Sequence, residues 1–280
     1  DDDKKHLKDW ISKGYNSKMK WMERNIEKRS NVFNYYPEVK SIISLALNYY
    51  HGTVEEHKDI GKVSNYAWGD DYHIVMKEKM ANILNYMNNS FGINGICCVD
   101  TSPVLDKAWA QRAGIGWIGK HTNLISKEFG SWIFLGEILV DAELEYDNNF
   151  EEDLCGTCTL CIEECPTHAL DEPYTLDANK CISYITIEHR GEHSNDMKKN
   201  LDNWIFGCDI CQEVCPWNIK FSKDSNEELF NNRKNIINKP LTELEKISRD
   251  EFQYIFKESP ISRAKYDGFI RNVKNVIENQ

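Results

Sequence analysis

Eight of the chain's ten cysteines lie between residues 155 and 215. The stretch "LCGTCTLCIEECPTHAL" carries Cys155, Cys158, Cys161 and Cys165, with Pro166 directly after. A partial echo, "CDICQEVCPWN", carries Cys208, Cys211 and Cys215, with Pro216 directly after, and Cys181 lies between the two runs. A secreted disulfide scaffold is shorter and lacks such tight spacing; in a cytosolic chain this pattern points to metal.

A structural zinc site is one use of paired thiols, four of them in a tetrahedron. The spacing here is different: Cys-x2-Cys-x2-Cys-x3-Cys-Pro. Three cysteines at intervals of three can hold three irons of one cubane, while the fourth points away towards a second cluster. This is the two-cluster bacterial ferredoxin spacing for [4Fe–4S]. The second run lacks one cysteine of the full motif, and Cys181 can replace it. Crossing the fourth cysteine of each run allocates Cys155, Cys158, Cys161 and Cys215 to one cluster. Cys208, Cys211, Cys181 and Cys165 are left for the other. Cys97 and Cys98, adjacent in "NGICCVD", read as small core residues. Two clusters held this close can pass single electrons. A binding module needs no such wire, and an electron carrier alone needs no long region in front of it.

That preceding region must position whatever the electrons are for. The chain has 280 residues, 41% hydrophobic and 28% charged, enough for one large domain or two modest ones. No apolar run reaches the ~18 residues that span a bilayer. The charged opening "DDDKKHLKDW" resembles no signal peptide, which leads us to expect a cytoplasmic protein. Residues 4 to 13 and 15 to 28 read as polar helices. Strands are expected over 41 to 50, 94 to 100 and 131 to 141. Apolar residues at helical spacing mark a helix over 71 to 89, and "SPVLDKAWAQRAGIG" reads as another, with Pro103 in its first turn. The acidic run "DAELEYDNNFEED" is a plausible boundary. Three segments follow: 1–148, 149–222 with the cysteines, and a helical 223–280. A net charge of −11 excludes coating nucleic acid through the overall field, although "ISRAKYDGFIRNVKN" and Arg190, Lys198 and Lys199 are locally basic. Most such runs are solvated helix faces.

Several long stretches resemble the epoxyqueuosine reductase family. They are "WMERNIEKR", "SIISLALNYY", "YAWGDDYH" and "VDTSPVLDKAWAQRAGIGWIGKHTNLISKEFGSWIFLGEI". The series continues in the same order with "CGTCTLCIEECPTHAL", "CISYITIEHRG" and "GCDICQEVCPWN". The resemblance implies an α+β protein with three parts: an α/β cobalamin-binding catalytic domain resembling reductive dehalogenases, a ferredoxin-like domain with two [4Fe–4S] clusters, and a helical end. It implies reduction of the epoxide of epoxyqueuosine at the wobble position of tRNA. The expected partners are the anticodon region of that tRNA and a low-potential electron donor, acting on a monomer away from membranes. Relatives usually begin with a further helical stretch before the point matching Asp1. Many also carry a C-terminal helical-repeat extension that is absent here.

The resemblance also implies roles for single residues. Asp100, otherwise readable as a turn or helix N-cap residue, aligns with the acid proposed to protonate the substrate oxygen. Such a donor must hold a proton at neutral pH, so burial should raise its pKa. Arg24, Lys120 and Asn123 align with cobalamin-contacting positions, and His189 and Arg190 with the tRNA-contacting region. Tyr66, Asp70, Tyr72 and His73 sit in "YAWGDDYH", and His73 is not expected to bind cobalt. His168 is expected to pack near a cluster. Two other readings stand beside this one: a small-molecule reductase of the dehalogenase type, and a two-cluster electron carrier. Asp100 argues against the first, whose typical donor is a tyrosine.

Overall fold

A computed structural model describes residues 2–53, 57–150, 152–232 and 237–280. The chain opens with three helices: α1 (Asp2–Ser12), α2 (Lys20–Arg24) and α3 (Ile26–Ser30). The long helix expected over 15 to 28 is broken instead. Gly14 and Ser17 take positive φ, and Asn25 leaves helical geometry between α2 and α3. This bends the segment so that Arg29, not its polar neighbours, faces inward.

Seven strands follow: β1 (Ser41–Asn48), β2 (Lys62–Val63), β3 (Gly95–Cys98), β4 (Trp117–Ile118), β5 (Leu124–Ile125), β6 (Ile133–Val140) and β7 (Trp204–Phe206). The main sheet has the order β1-β6-β3, antiparallel throughout. The central strand β6 is buried along nearly its whole length, as a near-continuous apolar run requires. Helix α4 (Tyr72–Phe91) packs Met76 and Met80 onto Gly136 of β6. It starts on Asp71, whose carboxylate accepts from the His73 amide at 3.0 Å, and ends on Gly92 in the left-handed conformation.

The helix expected from residue 101 starts later. Residues 101 to 105 form turns, and α5 (Asp106–Arg112) begins behind Leu105. The cysteine region adds α6 (Leu160–Glu163), α7 (Ile182–Ile187), α8 (Asn195–Lys199), α9 (Ile210–Glu213) and α10 (Pro216–Phe221). The end adds α11 (Leu241–Leu244), α12 (Arg249–Phe256) and α13 (Lys265–Glu278).

The three segments read from the sequence share their cores. β2 pairs in parallel with β7. One apolar cluster runs from Val63 through Ile182 and Phe206 to Phe269 and Val273. The buried Asn272 of α13 donates to the carbonyls of Thr186 and Ile205 at 2.8 and 2.9 Å, fixing α13 on α7 and β7. Gly207, at φ 71, lets the strand turn into Cys208; a Cβ there would stand 2.4 Å from that of Ser64. The loop before α4 is thereby held against the second cysteine run.

Candidate active site and cluster ligands

The eight clustered thiols fall into two groups. Cys215 and Cys155 share an apolar cluster with Trp117 and Trp217. The Trp217 indole donates to the Leu154 carbonyl at 3.1 Å, pinning one run on the other. Burial pushes the Cys161 thiol up to about 11, helped by its neighbours Cys215, Cys155 and Cys158. Cys165 lines one cavity with Cys181, Cys208 and Cys211, and none of the other four clustered thiols is among that lining. Burial raises Cys211. Cys208 is raised by burial and then by Cys211 and Cys181. Cys161 also acts on Cys211, so the two groups are neighbours. Among the described residues no three His, Cys, Asp or Glu side chains stand close enough to hold a single ion. A cubane carries one thiolate on each of four iron corners and asks for sulfurs further apart than that.

A cavity of about 390 Å³ opens beside the second group. Its lining includes Cys165, Cys181, Cys208 and Cys211 together with Tyr66, Tyr72, Asp100, Asp106, Lys107 and Asn123. Leu124, Ile133, Phe134 and Leu170 add apolar surface to the same cavity.

Asp100 sits at φ 38, in a left-handed conformation that non-glycine residues seldom take. It follows β3, and the turn closes through the Ser102 amide on the Val99 carbonyl at 3.3 Å. It caps no helix, since α5 starts behind Leu105. Its carboxylate is 56% exposed, but it opens onto the cavity with protein on most other sides. Burial therefore pushes its pKa up, as expected from the sequence. The His73 imidazole, the Tyr72 hydroxyl and the Arg29 charge outweigh that push, and Asp100 ends below the ordinary carboxylate range. The expected upward shift is corrected here, because a cation at hydrogen-bond distance offsets more than desolvation costs.

The other expected residues are placed as follows. Asn123 lines the cavity, its side-chain carbonyl accepting from Lys107 Nζ at 3.3 Å. Lys120 turns away from the cavity and donates to the carbonyls of Gly156 and Cys158 at 2.6 and 2.9 Å. Arg24 is exposed on α2 and is not among the cavity residues, whereas Arg29 lies near Asp106 and Asp100. The His189 ring is buried, 3.2 Å from the Glu192 carbonyl and edge-on to Tyr184. Arg190 is exposed, its guanidinium on the carbonyls of Ile187, His189 and Arg263. His168 is exposed, its amide on the Cys165 carbonyl at 3.1 Å. Cys98 is fully buried and Cys97 partly so.

Several residues at the site escape sequence reasoning. Lys107, in the cavity wall, donates to the Thr122 carbonyl at 2.8 Å. Burial pulls its pKa down against the attraction of Asp106 and Asp100. Glu137 on β6 is completely buried, and desolvation and the neighbouring Asp106 push it well above the usual carboxylate range. Its lone charge in the apolar run "WIFLGEILV" was the available signal. Asp209, between Cys208 and Cys211, accepts from Ser64 Oγ and from the Asn65 amide; burial pushes it up to about 7.

Comparison with known proteins agrees with this arrangement. A family model described as "4Fe-4S double cluster binding domain" matches residues 154–218. A second, described as "Epoxyqueuosine reductase QueG, DUF1730", matches residues 29–101. An epoxyqueuosine reductase of Cellulophaga algicola is 43% identical, over 95% of this chain and 87% of its own. The chain belongs to the epoxyqueuosine reductase family. A Synechocystis member is 40% identical over 98% of this chain and 95% of its own. The crystal structure of an epoxyqueuosine reductase with an epoxyqueuosine-modified tRNA stem loop superposes with a TM-score of 0.92. It is 32% identical, covering all of this chain and 74% of that one. The double-cluster match separates iron–sulfur from zinc. The family membership makes the chain an oxidoreductase and separates it from a bare electron carrier. Among the described residues no helix is long and apolar enough to cross a membrane.

Proposed function

We propose that this chain reduces epoxyqueuosine to queuosine in tRNA, with two [4Fe–4S] clusters on its eight clustered cysteines and cobalamin in the cavity beside them. The observation that carries this reading is the cavity itself, whose lining brings four thiols and Asp100 together. One cluster is assigned to Cys155, Cys158, Cys161 and Cys215, the other to Cys165, Cys181, Cys208 and Cys211. The shared cavity of Cys165, Cys181, Cys208 and Cys211 and the packing of Cys215 with Cys155 support that crossed assignment. The cavity suits a macrocycle with amide arms: apolar side chains such as Leu124, Ile133, Phe134 and Leu170 line it, and Thr122 and Asn123 add polar groups that can hydrogen-bond the arms. When bound, cobalamin supplies a strongly reducing cobalt centre that is charged by single electrons.

The protein's own part is to hold the substrate oxygen near Asp100, exclude water and deliver a proton. Opening an epoxide to an alkene consumes two electrons and two protons and releases water. Asp100 gives a proton to the departing oxygen, and Lys107, anchored on the 122–123 loop, keeps positive charge in the wall where negative charge develops. Arg190 is kept as a contact for the tRNA anticodon region, while buried His189 holds that loop. The electron donor is a low-potential carrier, the working unit a monomer and the compartment the cytoplasm, where tRNA is modified. Anaerobic loading with iron, sulfide and cobalamin, followed by incubation with epoxyqueuosine-containing tRNA and a low-potential reductant, tests the reading. Queuosine in the digested tRNA is expected. Protein with all cofactors bound that forms none would overturn it.

A further inference from the structure

A chain of three residues, Asp71, His73 and Asp100, ends on Asp100 in the cavity lining. His73 Nδ1 lies 2.7 Å from Asp71 Oδ1, and His73 Nε2 lies 3.1 Å from Asp100 Oδ2. Each part is fixed by the fold. Asp71 is the N-cap of α4, and the same oxygen that takes the His73 amide takes its ring nitrogen. The ring stacks on Tyr72 at 4.1 Å, and Tyr72 stacks in turn on Phe134 at 4.3 Å. Asp100 is presented by the strained turn after β3. Helix capping needs only Asp71; it explains neither the second carboxylate nor its strained backbone.

We infer that His73, oriented by Asp71, is the proton store and relay that recharges Asp100 during turnover. This rests on Asp100 being the acid in the reading above. That reading leaves a difficulty which His73 resolves: Asp100 has to give a proton, yet its surroundings hold it as a carboxylate. Burial pulls His73 down, but its hydrogen bonds to Asp100 and Asp71 and their charges lift it to about 9. At neutral pH the proton of the pair therefore sits on the ring, one hydrogen bond from Asp100. The His73 Nε2 proton passes to Asp100 Oδ2, and Asp100, protonated in this way, gives that same proton to the oxygen as the epoxide C–O bond breaks. The two electrons come through the clusters of the family's reaction. The second proton, which completes water, comes from solvent. The neutral ring then regains a proton from water entering the cavity as product leaves. Its Nδ1–H stays on Asp71 throughout, so Nε2 always faces Asp100.

The charged and titratable groups around the pair are few. Asp71 and Tyr72 belong to the start of α4. Asp100 feels Arg29 of α3, and it acts in turn on Tyr66, Asp106, Lys107 and Arg263. The hydrogen bond to Asp100 is the first of the contributions that raise His73.

The test uses the fully loaded enzyme and single-turnover rates across pH 5 to 10, for wild type, His73→Gln and Asp71→Asn. Wild type should be flat to near pH 9 and fall above it. His73→Gln should be about 10- to 100-fold slower at pH 8, the lower part of what general acids contribute. It should recover towards acid pH, because Asp100 must then take its proton directly from water. Asp71→Asn keeps an N-cap and should move the alkaline limb part of the way. Cluster and cobalamin spectra should be unchanged in all three. A His73→Gln enzyme with the wild-type pH profile, at whatever rate, overturns the relay. The second arm is an NMR titration of the His73 ring in wild type and Asp100→Asn. The ring should titrate at distinctly lower pH in Asp100→Asn; an unchanged midpoint overturns the coupling. If loaded wild type forms no queuosine, the functional reading has failed, and the titration still decides whether the two residues share a proton.

Discussion

The Lys120 ammonium reaches the Cys158 carbonyl at 2.9 Å and the Gly156 carbonyl at 2.6 Å. A residue from the loop between β4 and β5 thus closes the turn that carries the first cysteine run. Lys120→Met keeps the stem and removes the donor from two carbonyls. Hydrogen bonds to charged groups contribute about 1.5–3 kcal/mol, so the first cluster should load poorly while the second remains. Iron per chain should fall from about eight towards about four. Full iron loading in Lys120→Met would show that the turn holds without it.

The crossed assignment predicts which variants fail together. Cys165→Ala and Cys181→Ala should damage one cluster, although Cys165 belongs to the first run. Cys215→Ala should damage the other, although it belongs to the second. Low-temperature paramagnetic spectra of the reduced protein distinguish the two. Loss of the same cluster in Cys165→Ala and Cys215→Ala would end the assignment.

Asp100→Asn should separate chemistry from structure. Asparagine tolerates the left-handed conformation at φ 38, so the turn survives. Both clusters and cobalamin binding should be retained, and turnover should drop by roughly 10² to 10⁴. Full cofactor occupancy with near-normal queuosine formation would remove Asp100 from the mechanism.

His193 should make the fold acid-sensitive. It is 5% exposed, with Nδ1 2.8 Å from Asn275 Nδ2. Burial, with the charge of Arg271, pulls it down to about 3. The unfolded chain therefore takes up this proton first, so the contribution to stability is present above about pH 6.5 and is lost as pH falls towards 3. Denaturant midpoints of wild type should fall between pH 7 and pH 5 more steeply than those of His193→Gln. Equal slopes would assign the acid sensitivity to other groups.

Binding to tRNA should be local, because the net charge is −11. The plot of log affinity against log salt should show a modest slope, about 0.7 to 0.9 per phosphate contact. Arg190→Ala should lower the slope by about one such contact. No change in slope would place the phosphate contacts elsewhere.

The sequence by itself determined the chemistry and its order along the chain. Three thiols at intervals of three lie within one or two turns of backbone, so local spacing alone leads to the proposal that Cys155, Cys158 and Cys161 share one cubane. The long motifs around "YAWGDDYH" and "VDTSPVLDKAWAQRAG" carried the family for the same reason: they are contiguous. What only the tertiary structure decided depends on contacts between distant residues. Arg29 rather than Arg24 lies near Asp100 because the predicted helix breaks at Ser17 and Asn25 and turns that face inward. Lys120, two residues from a cavity contact at Thr122, serves a cysteine turn instead. Asp100 was expected to be lifted by burial, and burial does lift it. The sign of the net shift was set by His73, 27 positions away, because a charge at hydrogen-bond distance outweighs desolvation. No pattern of residue types along the chain encodes that distance; it exists only once α4 and the turn after β3 pack on the same sheet.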